Sequence, residues 1–385
     1  MSQFLFNIWW LSLVWALILS ITSIPVSADE WLDDFAQRVK SKASKQKIPG
    51  YLFAVVEKGK PAQVVVYGKT HKSGGAIDPQ TVFRLASVSK TFTSMLMAKL
   101  VENNQFNWQT PVTQLAPQFA FINAKELKLE HLIGQSSGFS PNAYDNLIEA
   151  NYPVKRVLNM LASLKPLCSP GDCYTYQNTL FGVLEEHFSL HNTSYKKQLE
   201  DEVLKPLGMK NASVGSVGLQ AAKSWARPHV AIAKNKWRSV NVEEDYYRYS
   251  PAAGVNASGS DMIIWLGALL GEKPNIISMQ LVDEVTQPRV KTTGELHRKN
   301  WQKYLKDAHY GLGWRVYDFS GHRLNYHGGW VKGYRAAVSF APDQDIGYVM
   351  LMNGESNLIN GFTADFWHSY FDEYERKLRI ANGGK

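Results

Sequence analysis

Phe83-Arg84-Leu85-Ala86-Ser87-Val88-Ser89-Lys90-Thr91-Phe92 is the stretch on which the rest of this chain turns. Within it, Ser87-Val88-Ser89-Lys90 spells S-x-x-K. A run of helical spacing follows, with Phe92, Met95, Leu96, Leu100 and Val101 at three- and four-residue steps. A helix that begins near Ser87 sets Ser87 and Lys90 on one face, three residues apart, so that the amine lies against the hydroxyl. The N-terminal end of such a helix favours developing negative charge. These are the parts of an activated nucleophile, although S-x-x-K recurs by chance and needs company before it signifies catalysis.

The totals leave room for such a site. The 385 residues are 45% hydrophobic and 20% charged, enough for an ample core in one large unit or two intimately packed ones. No internal repeat, low-complexity tract or heptad pattern interrupts them. The formal charge is +8, from basic residues that are scattered apart from a cluster at Lys40, Lys42, Lys45 and Lys47. A positive field favours anionic partners such as a carboxylated substrate or an anionic cell envelope. No nucleic-acid recognition motif accompanies it, so nucleic acid is not an expected partner.

Residues 1–28 carry no charged side chain, Ile8 to Ile24 is nearly all apolar, and Val26-Ser27-Ala28 resembles a small-residue cleavage site. This reads as a secretory signal peptide. The segment before the apolar run lacks Lys and Arg, and the run is near the short end for spanning a bilayer, so an uncleaved membrane anchor fits as well. Either way the body of the protein is expected to be exported, to the periplasm or the exterior. The only two cysteines, Cys168 and Cys173, flank Ser-Pro-Gly-Asp. In an oxidising compartment they are expected to close this turn as a disulfide.

Along the mature chain, Trp31, Leu32, Phe35 and Val39 mark one face of a helix that stops at Pro49-Gly50. Residues 51–57 and 63–68 are β-rich and flank a hairpin signal at Lys58-Gly59-Lys60-Pro61. From Thr91 to about Gly208 the pattern is mostly helical. Residues 209–250 are polar, with aromatics at Trp237, Tyr246, Tyr247 and Tyr249, and read as loop and short strands over the site. Ser258 to Leu270 is helical, with Ser258 or Ser260 as N-cap. Short β-rich runs return at 313–318, 323–326, 334–341 and 346–352, before a last helix over 360–379. With β-elements at both ends and helices between, the economical solution is an α+β fold. One antiparallel sheet is built from both chain ends and flanked by helices, with a mostly helical region inserted.

Two further motifs accompany Ser87. Tyr176-Gln177-Asn178 is Y-x-N, a phenol and an amide that a short irregular segment can point into one cleft. A Lys90 ammonium beside Tyr176 is expected to lower the phenol pKa and fit it for proton exchange with Ser87 and the leaving group. His327-Gly328-Gly329 follows a β-run, and its glycines let a substrate lie close to the strand backbone.

With three motifs in this order, the chain resembles the serine β-lactamase and penicillin-binding-protein superfamily. The resemblance is to the branch that holds class C β-lactamases, D-alanyl-D-alanine carboxypeptidases, D-aminopeptidases and related esterases. It extends over roughly residues 30–372 and includes Leu129-Glu130-His131-Leu132-Ile133, Lys205-Pro206-Leu207-Gly208-Met209 and Gly311-Leu312-Gly313-Trp314. It implies one catalytic unit over 29–380, with an α/β part at about 29–90 and 255–380 and a helical part at about 91–254.

By position, the resemblance makes Ser87 the acylated nucleophile, Lys90 its base partner and Tyr176 a sharer of the proton work. Asn178 would contact the substrate amide. The backbone N–H groups of Ser87 and Trp330, the latter just after Gly329, would form the oxyanion hole. No cofactor is implied. His187 and His191 stand four apart with no third ligand in view, so no metal is expected.

Two departures bear on the substrate. His327 stands where β-lactamases of this branch use a lysine, which removes a fixed charge for a substrate carboxylate. Lys332 or Arg335 is a candidate replacement. Gln135-Ser136-Ser137-Gly138 stands where relatives often carry a histidine and a threonine. The expected substrates are therefore a β-lactam or a D-amino-acid peptide. The alternatives are an esterase acting on small acyl esters, or a penicillin-binding sensor that acylates without turnover.

Overall fold

The computed structural model describes residues 30–122 and 125–383, so the leader expected at residues 1–28 lies outside the described residues. Helix α1, Glu30–Lys45, buries Leu32, Phe35, Val39 and Ala43 along one stripe, with Glu30 and Asp33 in its first turn and Lys42 and Lys45 in its last. Both charge placements suit the helix dipole. Strand β1, Gly50–Glu57, turns back through the expected hairpin into β2, Gln63–Gly68. Then come β3, Val82–Arg84; β4, Ser213–Val214; β5, His229–Ala233; β6, Lys236–Ser239; and β7, Val255–Ser258. The C-terminal third supplies β8, Val290–Lys291; β9, Leu305–Tyr310; β10, Arg315–Phe319; β11, His322–Val331; β12, Tyr334–Ala341; and β13, Ile346–Met352. A final helix, Leu358–Ala381, closes the chain.

Eight strands form one antiparallel sheet in the order β2-β1-β13-β12-β11-β10-β9-β8. The two chain ends meet where β1 pairs with β13, Tyr51 opposite Met352. This α+β architecture matches the expectation. Because β1 lies inside the sheet and both of its faces are covered, its sequence GYLFAVVE is apolar nearly throughout. Period two then divides it: Tyr51, Phe53 and Val55 join Phe35, Tyr348, Phe366 and Trp367 under α1 and the C-terminal helix. Leu52, Ala54 and Val56 face the other core, with Phe92 of helix α2, Ser89–Glu102, and Trp265 of the Gly259–Leu269 helix. Phe92 and Trp265 stack with centroids 4.1 Å apart.

The second core extends into the helical region between β3 and β7. There β7 pairs with β3 on one side and β4 on the other to make a small three-stranded sheet, and β3 leads directly into the Ser87 segment. The span 209–250 holds the expected short strands and loops but also a helix at Ser216–Ala221 and a 3-10 turn at Tyr246–Tyr249, and only part of it lies over the site. Tyr246 lines the main cleft, whereas Trp237 belongs to the β5–β6 hairpin, which lines a separate groove. Among the described residues no helix is long and apolar enough to cross a bilayer.

Candidate active site

Ser87 lies on a single 3-10 turn, Ala86–Val88, and the α-helix proper starts two residues later than expected, at Ser89. The reason is Ala86, held at φ 50°. Left-handed backbone costs a residue with a side chain about 1 kcal/mol or more. This kink ends β3 and directs Ser87 into the cleft. The segment is fixed on both sides, since Leu85 donates its N–H to Val255 O (3.0 Å) and Ser89 Oγ accepts from Val255 N (2.9 Å).

Lys90, fully buried on the first turn of α2, reaches Ser87 Oγ at 3.2 Å, Asn178 Oδ1 at 2.7 Å and Ala252 O at 3.1 Å. Burial is the main reason its pKa falls to about 7, with the Arg315 charge adding to the fall and Asp145 opposing it. A neutral amine has two hydrogens, which the carbonyls of Asn178 and Ala252 satisfy. Its lone pair is then left for the Ser87 hydroxyl.

Tyr176 sits against both groups. Its ring centroid is 4.8 Å from Lys90 Nζ, and its phenol is hydrogen-bonded with Ser87. The expected lowering of its pKa is overturned. Burial raises it to about 12, and Arg315 and the Ser87 hydrogen bond pull it back only in part. With its own pKa brought down to about 7, Lys90 is only partly charged near neutrality and gives a phenolate correspondingly less support. The amine, not the phenol, is the group whose proton is loosened.

The Gln135-Ser136-Ser137-Gly138 segment holds the Tyr176 stretch in place. Ser136 bridges Thr175, Thr175 N–H donates to Gln135 O (2.8 Å), and Gln135 Nε2 donates to Gln177 O (3.2 Å). The Cys168–Cys173 disulfide is formed, with Cα atoms 6.3 Å apart. Its loop docks on the same segment through Gly171 N–H to Ser136 O (2.8 Å) and Leu167 N–H to Gly138 O (2.7 Å). Asn178 faces two ways: Oδ1 accepts from Lys90, and Nδ2 donates to Asp145 Oδ2 (2.8 Å), leaving one Nδ2 hydrogen for the cleft that it lines.

His327, expected from the sequence as a polar substrate contact beside Lys90 and Tyr176, does lie near them, its ring centroid 6.5 Å from that of Tyr176, but it does not face the cleft. It is 0% exposed and forms no part of the cleft lining. Its Nδ1 faces Gly328 O (2.9 Å), which makes Nδ1 the donor, and its Nε2 accepts from the Tyr310 hydroxyl (3.0 Å). Burial, reinforced by the Arg315 and Lys90 charges, drives its pKa well below the ordinary value. His327 is thus a neutral strut behind the cleft wall rather than a substrate contact.

At Gly329 the close approach that the structure shows is by the protein's own backbone, because a methyl group there would overlap the Leu85 carbonyl oxygen. The close approach sets β11 beside Ser87. The two-residue turn Lys332-Gly333 pairs Val331 with Tyr334 and Trp330 with Arg335. By the alternation of antiparallel ladders, Val331 and Tyr334 exchange hydrogen bonds while the Trp330 N–H points away from β12. On that side β10 ends at Arg315 opposite Tyr326, so no strand competes for it. The Trp330 indole is 60% exposed at the cleft mouth, and its Nε1 donates to Glu355 (2.6 Å).

The cleft, about 820 Å³, is lined by charges of both signs. Asp145, Glu149, Glu243, Asp245 and Glu355 supply carboxylates, and Arg298, Arg315, Arg335 and Lys332 supply cations. Of the two expected carboxylate anchors, Lys332 is ion-paired with Glu243. Arg335 bonds Asn357 (2.8 Å) and stacks on Trp330, 4.3 Å from its ring centroid.

Arg315 was missed in the sequence. Its Nε is held by Glu295 (3.1 Å) and its Cζ lies 5.6 Å from the Tyr176 centroid. Among the described residues its Nη groups have no hydrogen-bond partner. A signal was present: Arg315 shares strand parity with the buried Tyr317 and Phe319, which places a charge on an apolar face. Asp145, which touches Tyr246 in the cleft, gave no such signal, whereas Tyr246 stood among the aromatics read as lying over the site. Burial raises the Asp145 pKa to about 6, against the lowering effects of Asn178 and Lys90.

Known proteins share this frame. The curated relatives include a beta-lactamase of Escherichia coli K12, 23% identical over 88% of this chain and 93% of that protein. They also include an unguisins hydrolase of Aspergillus campestris, 20% identical over 92% of this chain and 71% of that protein. Among solved structures, the octameric penicillin-binding protein homologue of Pyrococcus abyssi superposes with a TM-score of 0.76 at 19% identity, covering 92% of this chain and 78% of that one. The D-amino acid amidase of Ochrobactrum anthropi SV3 gives 0.73 at 16% identity, covering 89% and 99%. The sequence profile of the beta-lactamase family matches residues 34–365, and the chain belongs to that family.

Proposed function

We propose that this protein is an exported serine hydrolase of the class C-related branch that forms an acyl-enzyme on Ser87. Its proposed substrates carry a carboxylate near the scissile bond, as β-lactams and D-amino-acid peptides do. The observation that carries the reading is the Lys90 amine, dry and 3.2 Å from the Ser87 hydroxyl at the foot of the cleft. In its neutral form Lys90 takes the Ser87 proton as Oγ attacks the carbonyl carbon. The oxyanion forms between the Ser87 and Trp330 N–H groups, an arrangement in which one donor is typically worth about a hundred- to a thousand-fold in rate. Tyr176, protonated because its pKa is near 12, donates to the leaving nitrogen and regains its proton from the neighbouring Lys90 ammonium, 4.8 Å from its ring centroid. Water then attacks the acyl carbon as it gives a proton to the neutral Lys90 amine, and Ser87 Oγ leaves with that proton.

Arg315, in place of the missing lysine, is the proposed carboxylate anchor, and its two free Nη groups suit a bidentate contact. Export rests on the apolar leader and on the Cys168–Cys173 pair.

Intact-mass measurements over time with a penicillin, a D-alanyl peptide and a p-nitrophenyl ester test the reading. Ser87→Ala should lose every adduct, and persistent labelling would remove Ser87 from the chemistry. Arg315→Gln should raise KM about 10- to 100-fold for carboxylated substrates only, the worth of a charged hydrogen bond. An equal effect on the p-nitrophenyl ester would favour the esterase reading.

A further inference from the structure

A second concavity, about 690 Å³, opens away from the cleft, where three distant segments meet. Lys47 comes from the turn after α1, Lys69 and Lys72 from the end of β2 and the loop beyond it, and Arg238 from β6. Tyr67 and Trp237, both half-buried, supply aromatic surface between these cations. None of the four cations is ion-paired among the described residues. Elsewhere exposed lysines do find carboxylates, as Lys42 does with Asp365 (3.0 Å) and Lys291 with Asp307 (3.2 Å). Four uncompensated positive charges around a cavity repel one another, and this arrangement favours an anion.

We propose that this groove binds an anionic saccharide, with the lysines and Arg238 on its carboxylate or phosphate groups and the two aromatic rings against its sugar faces. The concave shape and aromatic lining favour a ring-bearing polyanion over a flat lipid surface, and the volume falls in the range of ligand sites. The inference stands independently of the reading of the cleft. It does border the cleft, however. The backbone of His229, which lines the groove, donates to Gly333 O (3.2 Å) and accepts from Glu355 N (3.1 Å), and Glu355 lines the cleft.

Calorimetric titration of the whole protein with a galacturonic-acid octamer tests the proposal. The carboxyl-reduced octamer, inorganic phosphate and phosphatidylglycerol vesicles serve as the other ligands. Lys69→Gln/Lys72→Gln/Arg238→Gln should weaken octamer binding at least tenfold while thermal melts stay unchanged. Lys165→Gln/Lys210→Gln/Lys223→Gln removes the same charge elsewhere and should change it less than twofold. The reduced octamer and free phosphate should bind at least tenfold more weakly than the acidic octamer. Equal losses in the two triple variants, equal binding of the reduced octamer, or binding to vesicles alone would each overturn it.

Discussion

Lys90 couples catalysis to stability through one proton. If the neutral amine is the base, kcat/KM rises as pH climbs through about 7, the pKa to which burial brings it. The folding consequence has the same sign. An unfolded lysine titrates near pH 10.4, so between about 7 and 10.4 the unfolded chain binds the extra proton and stability increases with pH. Below that window the burial penalty is constant. Lys90→Met should abolish turnover, flatten the pH dependence of stability measured in urea melts between pH 7 and 10, and raise the melting temperature at pH 7. A melt that loses stability in the variant at pH 7 would show the buried amine to be net stabilising. Ser87, Lys90 and Tyr176 were all legible in the sequence because short motifs fix their spacing. The direction of the Tyr176 pKa was not legible, because it depends on how dry the site is, which only the packing of α2 and β11 decides.

At the scale of elements, the site depends on short connections rather than on long helices. The Cys168–Cys173 loop, the Gln135–Gly138 segment and Thr175 form one clamp that presents Tyr176 and Asn178 to Lys90. A cross-link closing so short a loop contributes about 2 kcal/mol by the chain-entropy relation. The Cys168→Ser/Cys173→Ser variant should lose about that much stability in a urea melt. It should also lose several-fold in kcat/KM as Tyr176 becomes less well held, with the parent protein under reductant behaving alike. Unchanged kcat/KM would mean that the hydrogen bonds of Ser136 and Gln135 suffice. The clamp was only half readable: the cysteine pair announced a turn, but nothing in residues 135–138 announced what it would dock upon. Strand β9 was missed for a related reason, since its Leu305-Lys306-Asp307-Ala308-His309-Tyr310 sequence alternates too weakly to stand out from the polar segment before it.

Over the whole molecule, the sheet separates two cores and each is stitched by aromatics. Trp367 of the C-terminal helix is fully buried beneath the sheet, where its Nε1 donates to Ser339 Oγ (2.8 Å). Trp367→Ala should cost about 3–5 kcal/mol, the usual range for emptying such a site, and should lower the thermal midpoint while leaving KM unchanged, because Trp367 does not line the cleft, which its helix reaches only through Ile359 and Asn360. A change in KM larger than about twofold would show that the two cores are coupled. That both chain ends share one sheet was legible from where the β-rich runs fall. The strand order was not, because many pairings satisfy the same alternation of apolar residues.

The pairing of Tyr51 with Met352 across β1 and β13 has a consequence for synthesis. Strand β1 leaves the ribosome early and waits for nearly the entire message to be read before its partner exists. Until then its two apolar faces and one open edge stay unsatisfied, and contacts of such long sequence separation form slowly. The nascent protein therefore cannot complete its scaffold piecemeal, and it stays threadable and in need of shelter until translation is almost finished.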